Sequence, residues 1–292
     1  MRVGVMVKRT AWDRYRASQD GNLRALLAKK DPTVANVVSA HEEHVATLDV
    51  VKRSLAAAGA TVMHLRKATF DDRDLDLVLT VGGDGTLLRA SHSVSRVPIL
   101  AINSAPGSSV GFFCGADRAS APRAIEAALA RTLRGVVLTR MQVRLNGTIV
   151  TPRVLNDALF CHRSPAATAR YIVEHRGVVE EQKSSGIWVG PAAGSTAAQR
   201  SAGGKVLPLT SRDLQMVVRE PYEPRGQDYR LRRLVVRPGA PLTLRSKSRE
   251  MRLFIDGPDR MVRAVLGDIV TFEQSAEPLE VLGLSARRRW ET

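Results

Sequence analysis

The sequence predicts an α/β fold in two parts, an N-terminal doubly wound parallel-sheet domain and a C-terminal domain that is mostly β. Apolar runs of strand length alternate with helical patterns over residues 1–135, the order typical of a parallel sheet. After Gly135 the chain changes to short β-rich runs separated by turn signals such as Asn146-Gly147. At 292 residues the chain is long enough for two domains with a core each.

The periodicity of apolar residues predicts the N-terminal elements, and glycine residues mark where helices end. Val3 to Val7 predicts a buried strand, and residues 36–58 predict a helix because apolar side chains recur at helical spacing and Gly59 follows. The remaining predicted elements of this part are strands at 61–65, 75–81 and 97–102 and helices at 86–94 and 121–133. We therefore expect residues 1–135 to form the α/β domain.

Residues 136–268 contain short runs rich in β-branched and aromatic side chains, and predict the β domain. The last segment, 269–292, carries two further apolar runs. We expect this segment to return to the N-terminal domain.

The chain is strongly basic, with a net charge of +15. A positive surface attracts polyanions such as nucleotides. The basic residues are scattered, however, and aromatic residues make up only 4% of the chain, so a stacking platform for single-stranded nucleic acid is not supported. We predict a solvated basic surface and no nucleic-acid partner.

The apolar runs predict the location of the protein, and the spacing of its Cys and His residues predicts its metal content. No run approaches the roughly 18 apolar residues of a membrane span, and the first strand is too short and too soon charged for a signal peptide. We expect a cytoplasmic protein with no membrane partner. Cys114 and Cys161 lack metal-site spacing, and His41 and His44 are expected on an exposed helical face, so no metal ligands are predicted.

The stretch from Val78 to Leu88 carries the strongest chemical signal. It consists of an apolar strand, a tight turn and a helix start with the sequence Gly82-Gly83-Asp84-Gly85-Thr86, in which we expect Thr86 to cap the helix. A glycine-rich turn before a helix favours phosphate. Asp84 would repel phosphates unless a cation intervenes or a proton is shared, so its presence indicates chemistry as well as binding. The alternative is an ordinary Gly/Asp turn.

A loop rich in Gly, Ser and Pro follows the next predicted strand, from Asn103 to Gly115. Because the carboxyl ends of parallel strands meet at one sheet edge, we expect this loop to face Asp84. Asn103 also has a simpler interpretation, as a turn residue that bonds its own backbone. Residues 107–111 match the nucleophile-elbow pattern of serine hydrolases, but no strand immediately precedes them and the hydrolase hypothesis is not favoured.

Two constellations lie in the predicted β domain. Asn156-Asp157 interrupts an apolar stretch, and these side chains can accept from sugar hydroxyls and donate to a ring carbonyl; the alternative is a bulge or turn. In the segment 186–204, nearly every residue after Val189 is small, which predicts a flat ligand or a close backbone contact, with a flexible linker as the alternative. Hydroxyl groups in this segment belong to Ser195, Thr196 and Ser201. Residues 254–257 predict a hairpin turn.

Together these motifs resemble the NAD kinase family in identity and order. The matching strings are Gly82-Gly83-Asp84-Gly85-Thr86, Asn103 with Gly111-Phe112, Asn156-Asp157, and Gly194-Ser195-Thr196-Ala197 with Ser201-Ala202-Gly203-Gly204. The first string is shared with lipid kinases of the diacylglycerol and sphingosine type. The last distinguishes NAD kinases from those enzymes.

The resemblance implies transfer of the γ-phosphoryl group of ATP, with Mg2+ or another divalent cation, to the 2′-hydroxyl of the adenosine ribose of NAD or NADH. It implies a site between the two domains and a homodimer or tetramer. Asp84 would be the base, and the residues of the phosphate cradle would be Gly82, Gly83, Gly85 and Thr86. The dinucleotide ligands would be Asn103, Asn156 and Asp157, with Ser195, Thr196 and Ser201 in the same pocket.

The chain departs from the family pattern at several positions. Asp157 replaces the commoner Glu, and Ala198 replaces an aromatic residue. The Lys183-Ser184-Ser185-Gly186 string and the long loop after Asn103 resemble the mitochondrial-type branch. Three questions stay open from the sequence. The acceptor is NAD or NADH, and the phosphoryl donor is ATP or polyphosphate. The protein is an NAD kinase, a lipid kinase, or a dinucleotide-binding regulator that has lost catalysis.

Overall fold

The computed structural model describes residues 1–65, 69–223 and 228–286. The chain divides into two compact units. The first contains Met1–Val136 and Leu279–Ser285, and the second contains Val137–Pro278. The first unit is α/β with a parallel sheet and the second is mostly β, which confirms the predicted fold class.

The elements up to the start of the second unit alternate between strands and helices. In chain order they are β1 (Arg2–Val7), α1 (Ala11–Arg16), α2 (Gly21–Ala28), a 3-10 helix (Pro32–Val34), α3 (Ala35–Ala57), β2 (Thr61–His64), β3 (Leu77–Gly82), α4 (Asp84–Ser91), β4 (Ile99–Asn103), β5 (Ala116–Asp117), α5 (Ala121–Leu129) and β6 (Gly135–Leu138).

The later elements are almost all strands. They are β7 (Met141–Leu145), β8 (Thr148–Val154), β9 (Ala158–His162), β10 (Ala169–His175), β11 (Val178–Ser184), β12 (Gly186–Pro191), a 3-10 helix (Ala192–Thr196), α6 (Ala198–Ser201), β13 (Leu214–Arg219), β14 (Arg233–Val236), β15 (Leu242–Ser246), β16 (Met251–Ile255), β17 (Met261–Ala264), β18 (Ile269–Gln274) and β19 (Leu279–Leu282).

The sheet of the first unit has the order β2-β1-β3-β4-β19-β6, with β5 pairing β4. Strands β1, β2, β3 and β4 pair in parallel, and β19 joins β4 in the same direction. In the register of β3 and β4, Gly82 lies opposite Asn103. The two segments with the strongest chemical signal in this unit therefore leave the sheet side by side.

Apolar side chains hold this sheet between helices. The buried cluster joins Val51 and Leu55 of α3 and Ile125 of α5 to strand residues such as Leu79 and Ile102. Burying side chains of this size contributes roughly 1.5–3 kcal/mol each. The carboxyl ends of the strands are consequently fixed before any ligand binds.

The second unit contains two six-stranded antiparallel sheets. Their orders are β11-β10-β15-β18-β7-β8 and β14-β13-β12-β9-β16-β17. One core cluster takes side chains from both sheets, among them Tyr171 and Phe272 from the first and Phe160 and Met216 from the second. The predicted hairpin at Asn146-Gly147 connects β7 to β8, and both residues have positive φ, as a tight hairpin turn requires.

Two expectations about local structure are wrong. Helix α4 begins at Asp84 with Gly83 as its N-cap, so the prediction that Thr86 caps this helix is wrong. The glycines allow the chain to turn into the helix earlier, and Thr86 becomes part of the first turns, where its N–H donates to the Gly83 carbonyl. His44 is buried rather than exposed, because its ring bonds Ser104 in the loop after β4.

The C-terminal segment is divided between the two units. Strand β18 pairs with β7 and β15 in the second unit, whereas β19 pairs with β4 in the first. The chain thus crosses back after Pro278 and not after residue 268. The expected return also included residues 287–292, which lie outside the described residues. Across the described ranges, no helix has the length and apolar character needed to cross a membrane.

Candidate active site

The glycine turn, Gly82-Gly83-Asp84-Gly85, brings β3 into α4 through close backbone contacts. A Cβ at Gly82 would overlap the Thr86 side chain and come within 3.0 Å of the Lys8 Cβ. A Cβ at Gly83 would overlap the Ser109 hydroxyl. These two glycines are therefore required by the packing of the protein itself.

Gly85 differs from its two neighbours. It lies in the first turn of α4, is exposed, and a Cβ built on it would meet no protein atom within 4 Å. Its φ is outside the positive range that favours glycine. Neither packing nor backbone conformation explains this glycine, whereas the close approach of a ligand to the helix N-terminus would.

The Asp84 carboxylate is held by the loop that follows β4. Its Oδ2 accepts from the Phe112 N–H at 2.9 Å and its Oδ1 accepts from the Phe113 N–H at 2.8 Å. A carboxylate offers about four lone-pair positions, so each oxygen retains one for another partner. The side chain is half-buried. Asp84 is thus oriented by two main-chain donors and still able to accept a proton or a hydrogen bond.

Asn103 lies under the same loop and is buried. Its Nδ2 donates to the Ser109 carbonyl at 2.9 Å, and its Oδ1 accepts from the Ala105 N–H at 3.3 Å. Gly111 has φ +61°, and a Cβ there would press on the Asn103 amide. These contacts order the loop, which matches the turn interpretation. A ligand would have to use the remaining lone pair or N–H of the amide.

Helix α3 anchors the start of this loop. The His44 ring bonds the Ser104 hydroxyl through Nδ1 at 2.8 Å, and the Thr47 hydroxyl donates to the Ser104 carbonyl at 3.1 Å. Burial, assisted by the charge of Lys8, holds the pKa of His44 below its ordinary value. The imidazole is therefore neutral at physiological pH, and the anchor does not depend on a charged histidine.

In the second unit, the predicted Asn156-Asp157 motif forms a bend between β8 and β9, at residues 155–157. The Asp256 carboxylate accepts three consecutive N–H groups of this bend, from Leu155 at 3.0 Å, Asn156 at 2.7 Å and Asp157 at 3.1 Å. The Asp256 N–H in turn donates to the Asp157 carbonyl at 2.9 Å. The bend is consequently fixed through its main chain.

The side chains of this bend have no such partners. Asn156 Oδ1 is buried and accepts no hydrogen bond from any described residue. Asp157 is 7% exposed, and burial, with the charge of Asp256 adding to it, raises its pKa to about 7. A buried polar atom without a partner costs about 1–3 kcal/mol. The unpaired Asn156 oxygen, with the buried Asp157 carboxyl next to it, indicates a place where a ligand supplies the missing donors.

The small-residue segment 190–204 packs against this bend, which excludes the flexible-linker alternative. A Cβ at Gly190 or at Gly194 would overlap the Asn156 carbonyl oxygen. Gln199 is fully buried, and its Nε2 lies 3.4 Å from the same oxygen. Gln215 continues the network by donating to Gln199 Oε1 at 3.1 Å. Gly190 and Gly194 are therefore needed for close backbone contact, which is one of the two predictions made for this segment, the other being a flat ligand.

The three predicted hydroxyl residues occupy different settings. Ser195 is fully buried and bonds the protein, with its Oγ donating to the Ala192 carbonyl and accepting from the Leu207 N–H. Thr196 is half-buried at the end of the 3-10 helix. Ser201 is exposed at the end of α6. Ser195 therefore orders the segment, and of the three only Thr196 and Ser201 present surface.

The structure thus forms two groups of predicted residues, one in each unit. The first unit brings together Asp84, the glycines, Thr86 and Asn103 at the ends of β3 and β4. The second brings Asn156 and Asp157 together with the segment that contains Ser195. Across the described residues, no group of three His, Cys, Asp or Glu side chains could hold a metal ion.

Sequence reasoning missed the role of Asp256. The Asp256-Gly257 pair predicted only a hairpin turn, and it does connect β16 to β17. Its carboxylate, however, bonds main chain about 100 positions earlier. No local pattern marks such a contact. The single available signal was the uncommon αL conformation expected at an Asp-Gly turn, and Asp256 has φ 49°.

Comparison with known proteins shows the family to which the sequence is related. Residues 21–135 match the family model described as the ATP-NAD kinase N-terminal domain. The chain is 36% identical over 231 residues to a probable NADH kinase from Oryza sativa, covering 72% of this chain and 71% of the relative.

Two solved structures have the same fold. An NAD kinase from Archaeoglobus fulgidus in complex with ATP aligns with a TM-score of 0.68 and 20% identity, covering 96% of this chain and 92% of the other. Yeast NADH kinase complexed with NADH aligns with a TM-score of 0.72 and 15% identity, covering 97% and 84%. The sequence relationship to the rice protein, at 36% identity and over more than two thirds of both chains, leads to one conclusion: the chain belongs to the NAD kinase family.

Proposed function

We propose that the chain transfers the γ-phosphoryl group of ATP to the 2′-hydroxyl of the adenosine ribose of NAD or NADH, giving NADP or NADPH. The ribose oxygen attacks the γ-phosphorus, the bond from that phosphorus to the β–γ bridging oxygen breaks, and ADP leaves. The hydroxyl proton passes to the Asp84 carboxylate and from there to solvent. Phosphoryl transfer otherwise requires positioning and neutralisation of charge.

The observation that carries this proposal is the setting of Asp84. Both oxygens are oriented by the N–H groups of Phe112 and Phe113, and the adjoining Gly85 has open space at the start of a helix. An oriented carboxylate beside a phosphate-binding helix start supplies a base next to a phosphoryl donor. A purely structural turn would need neither the carboxylate nor the open glycine.

The second unit supports dinucleotide binding. Asn156 Oδ1 has no internal donor, and the Asp157 carboxyl is buried without a hydrogen-bond partner among the described residues. Hydroxyl and amino groups of a nucleoside are the donors that these oxygens lack. We assign Asn156 and Asp157 as dinucleotide ligands, with Asn103, Thr196 and Ser201 as further contacts and Ser195 as support for the pocket.

The proposal includes a divalent cation, Mg2+ or another, bound with ATP. The described residues offer no set of three metal-ligating side chains, and Asp84 contributes a single carboxylate, each oxygen of which keeps a lone pair beside the N–H group that it accepts. The residues therefore fit a cation that is carried by the nucleotide phosphates rather than one bound by the protein alone. When bound, such a cation neutralises charge on the transferred group.

A homodimer or tetramer and a cytoplasmic location complete the proposal. Across the described residues, no disulfide joins Cys114 and Cys161, which is compatible with a reducing compartment. Size-exclusion chromatography with light scattering would test the oligomeric state. A lipid kinase is less well supported, because relatives that match 72% of the chain are a probable NADH kinase and an NADH kinase.

An acceptor panel tests the function. The chain is incubated with labelled ATP, Mg2+ and, separately, NAD, NADH, diacylglycerol or a sphingoid base. We expect label in the dinucleotide and in neither lipid. Label in a lipid would instead identify a lipid kinase. Dinucleotide binding without transfer of label would identify a non-catalytic regulator.

A further inference from the structure

The Asp256 carboxylate forms an unusually complete contact with the 155–157 bend. It accepts the N–H groups of three consecutive residues at 2.7 to 3.1 Å, and the Asp256 N–H returns a bond to the Asp157 carbonyl. Hydrogen bonds from main-chain N–H groups to a carboxylate are about twice as strong as neutral ones. Asp256 thereby fixes the bend from the turn that connects β16 to β17.

This contact determines what the side chains of the bend can do. Three N–H groups are used by Asp256, and the Asn156 carbonyl faces Gly190, Gly194 and the Gln199 amide. The main chain is thus satisfied on both sides. The unpaired oxygen belongs to the Asn156 side chain, and the neighbouring Asp157 carboxyl is buried. Both side chains are left available to a ligand in a single arrangement.

We infer that Asp256 is a positioning residue for dinucleotide binding, which holds the 155–157 bend in its binding conformation without contacting the ligand. The inference rests on the proposed function, in which Asn156 and Asp157 bind the dinucleotide. A rigid, preformed bend binds its ligand without the cost of ordering the chain. Loss of Asp256 should therefore weaken dinucleotide binding and leave ATP binding unchanged.

Asp256→Asn is the informative substitution. Asn tolerates the αL conformation that Asp256 adopts, but its amide nitrogen cannot accept an N–H, so the bend loses at least one of its three bonds and the negative charge. Asp268→Asn is the matched control, because Asp268 also accepts an N–H, from Val265, and a side-chain amide, from Asn146, at a turn of the same unit.

The wild-type chain is assayed first for phosphorylation of NAD and NADH. Absence of that activity would refute the proposed function. The hydrogen-exchange experiment below would then still test whether Asp256 holds the 155–157 bend. With activity present, we expect Asp256→Asn to raise the KM for the dinucleotide at least tenfold, with the KM for ATP and kcat within about threefold of wild type. Asp268→Asn should keep all three values.

Two outcomes would overturn the inference. One is a folded Asp256→Asn variant with an unchanged dinucleotide KM. The other is a parallel rise in both KM values, or a fall in kcat alone, because general loosening of the unit would then explain the result. Circular dichroism and thermal unfolding establish that each variant is folded.

Hydrogen exchange on the wild-type chain gives a test that needs no variant. Because Asp256 holds the bend before any ligand arrives, we expect the amides of residues 155–157 to exchange slowly without NAD, and NAD to change their rates little. Fast exchange in the free protein that slows only with NAD would contradict the inference, since the ligand rather than Asp256 would then order the bend.

Discussion

Asp84 is the residue on which the proposed chemistry depends. Two main-chain N–H groups orient its carboxylate, and each oxygen keeps a lone pair for the hydroxyl that it would deprotonate. In the proposed mechanism, the rest of the site binds and aligns the two substrates. Chemistry and binding are therefore separable by substitution.

Asp84→Asn should reduce kcat at least a hundredfold, because removal of a general base costs roughly 10²–10⁴-fold in rate. The dinucleotide KM should change little. Steady-state kinetics with NAD and ATP measure both values. Asp117→Asn, which alters another carboxylate that accepts an N–H in the first unit, serves as the control. Normal turnover by Asp84→Asn would show that Asp84 is not the base.

Asp157 gives a prediction about pH. The pKa of its carboxyl is about 7 in the folded chain and near 3.8 when exposed. At a pH between these two values, the folded state holds a proton on this group that the unfolded state has released. Folding stability from this group falls as pH rises from about 4 to about 7. At pH 8 the buried charge costs up to about 4 kcal/mol.

Asp157→Asn should therefore unfold at a higher temperature than wild type at pH 8, and the difference should vanish near pH 4. The same variant should bind the dinucleotide more weakly, since it loses a charge-assisted acceptor worth about 1.5–3 kcal/mol. Thermal unfolding at both pH values and the KM for NAD check this. Higher stability together with unchanged dinucleotide KM would argue that Asp157 does not contact the ligand.

The glycine turn is the element that connects β3 to α4, and it is where we propose that phosphate binds. The three glycines of this turn differ in what surrounds them. Gly82 and Gly83 are enclosed by Thr86 and Ser109, while Gly85 faces open space. The sequence alone assigned all three to one phosphate cradle, whereas packing explains Gly82 and Gly83 and does not explain Gly85.

Gly85→Ala should leave the unfolding temperature unchanged or higher, because alanine is favoured over glycine in an exposed helix by about 1 kcal/mol. The added methyl group should raise the KM for ATP at least tenfold by occupying the space of a phosphate. Gly82→Ala should instead destabilise the chain by roughly 1–3 kcal/mol through overlap with Thr86. An unchanged KM for ATP in Gly85→Ala would exclude phosphate contact at this position.

At the scale of the whole molecule, features set by local sequence were predictable and features set by long-range contacts were not. Alternating apolar runs and local turn residues predicted a parallel sheet followed by a β unit, because period and turn chemistry act over a few residues. Contacts across long separations were not predictable in this way. Asp256 bonds Asn156 across 100 positions, and His44 is buried because Ser104 comes to it from 60 positions away. The helix start at Asp84 was missed because glycine itself serves as the N-cap.

The central claim is phosphoryl transfer to a ribose hydroxyl, and the position of the new phosphate tests it most directly. Phosphorus NMR of the product made from ATP and NAD by the wild-type chain should show a phosphate ester on the 2′-oxygen of the adenosine ribose. The account is contradicted if the wild-type chain leaves the dinucleotide unmodified, or if the phosphate appears on any other oxygen.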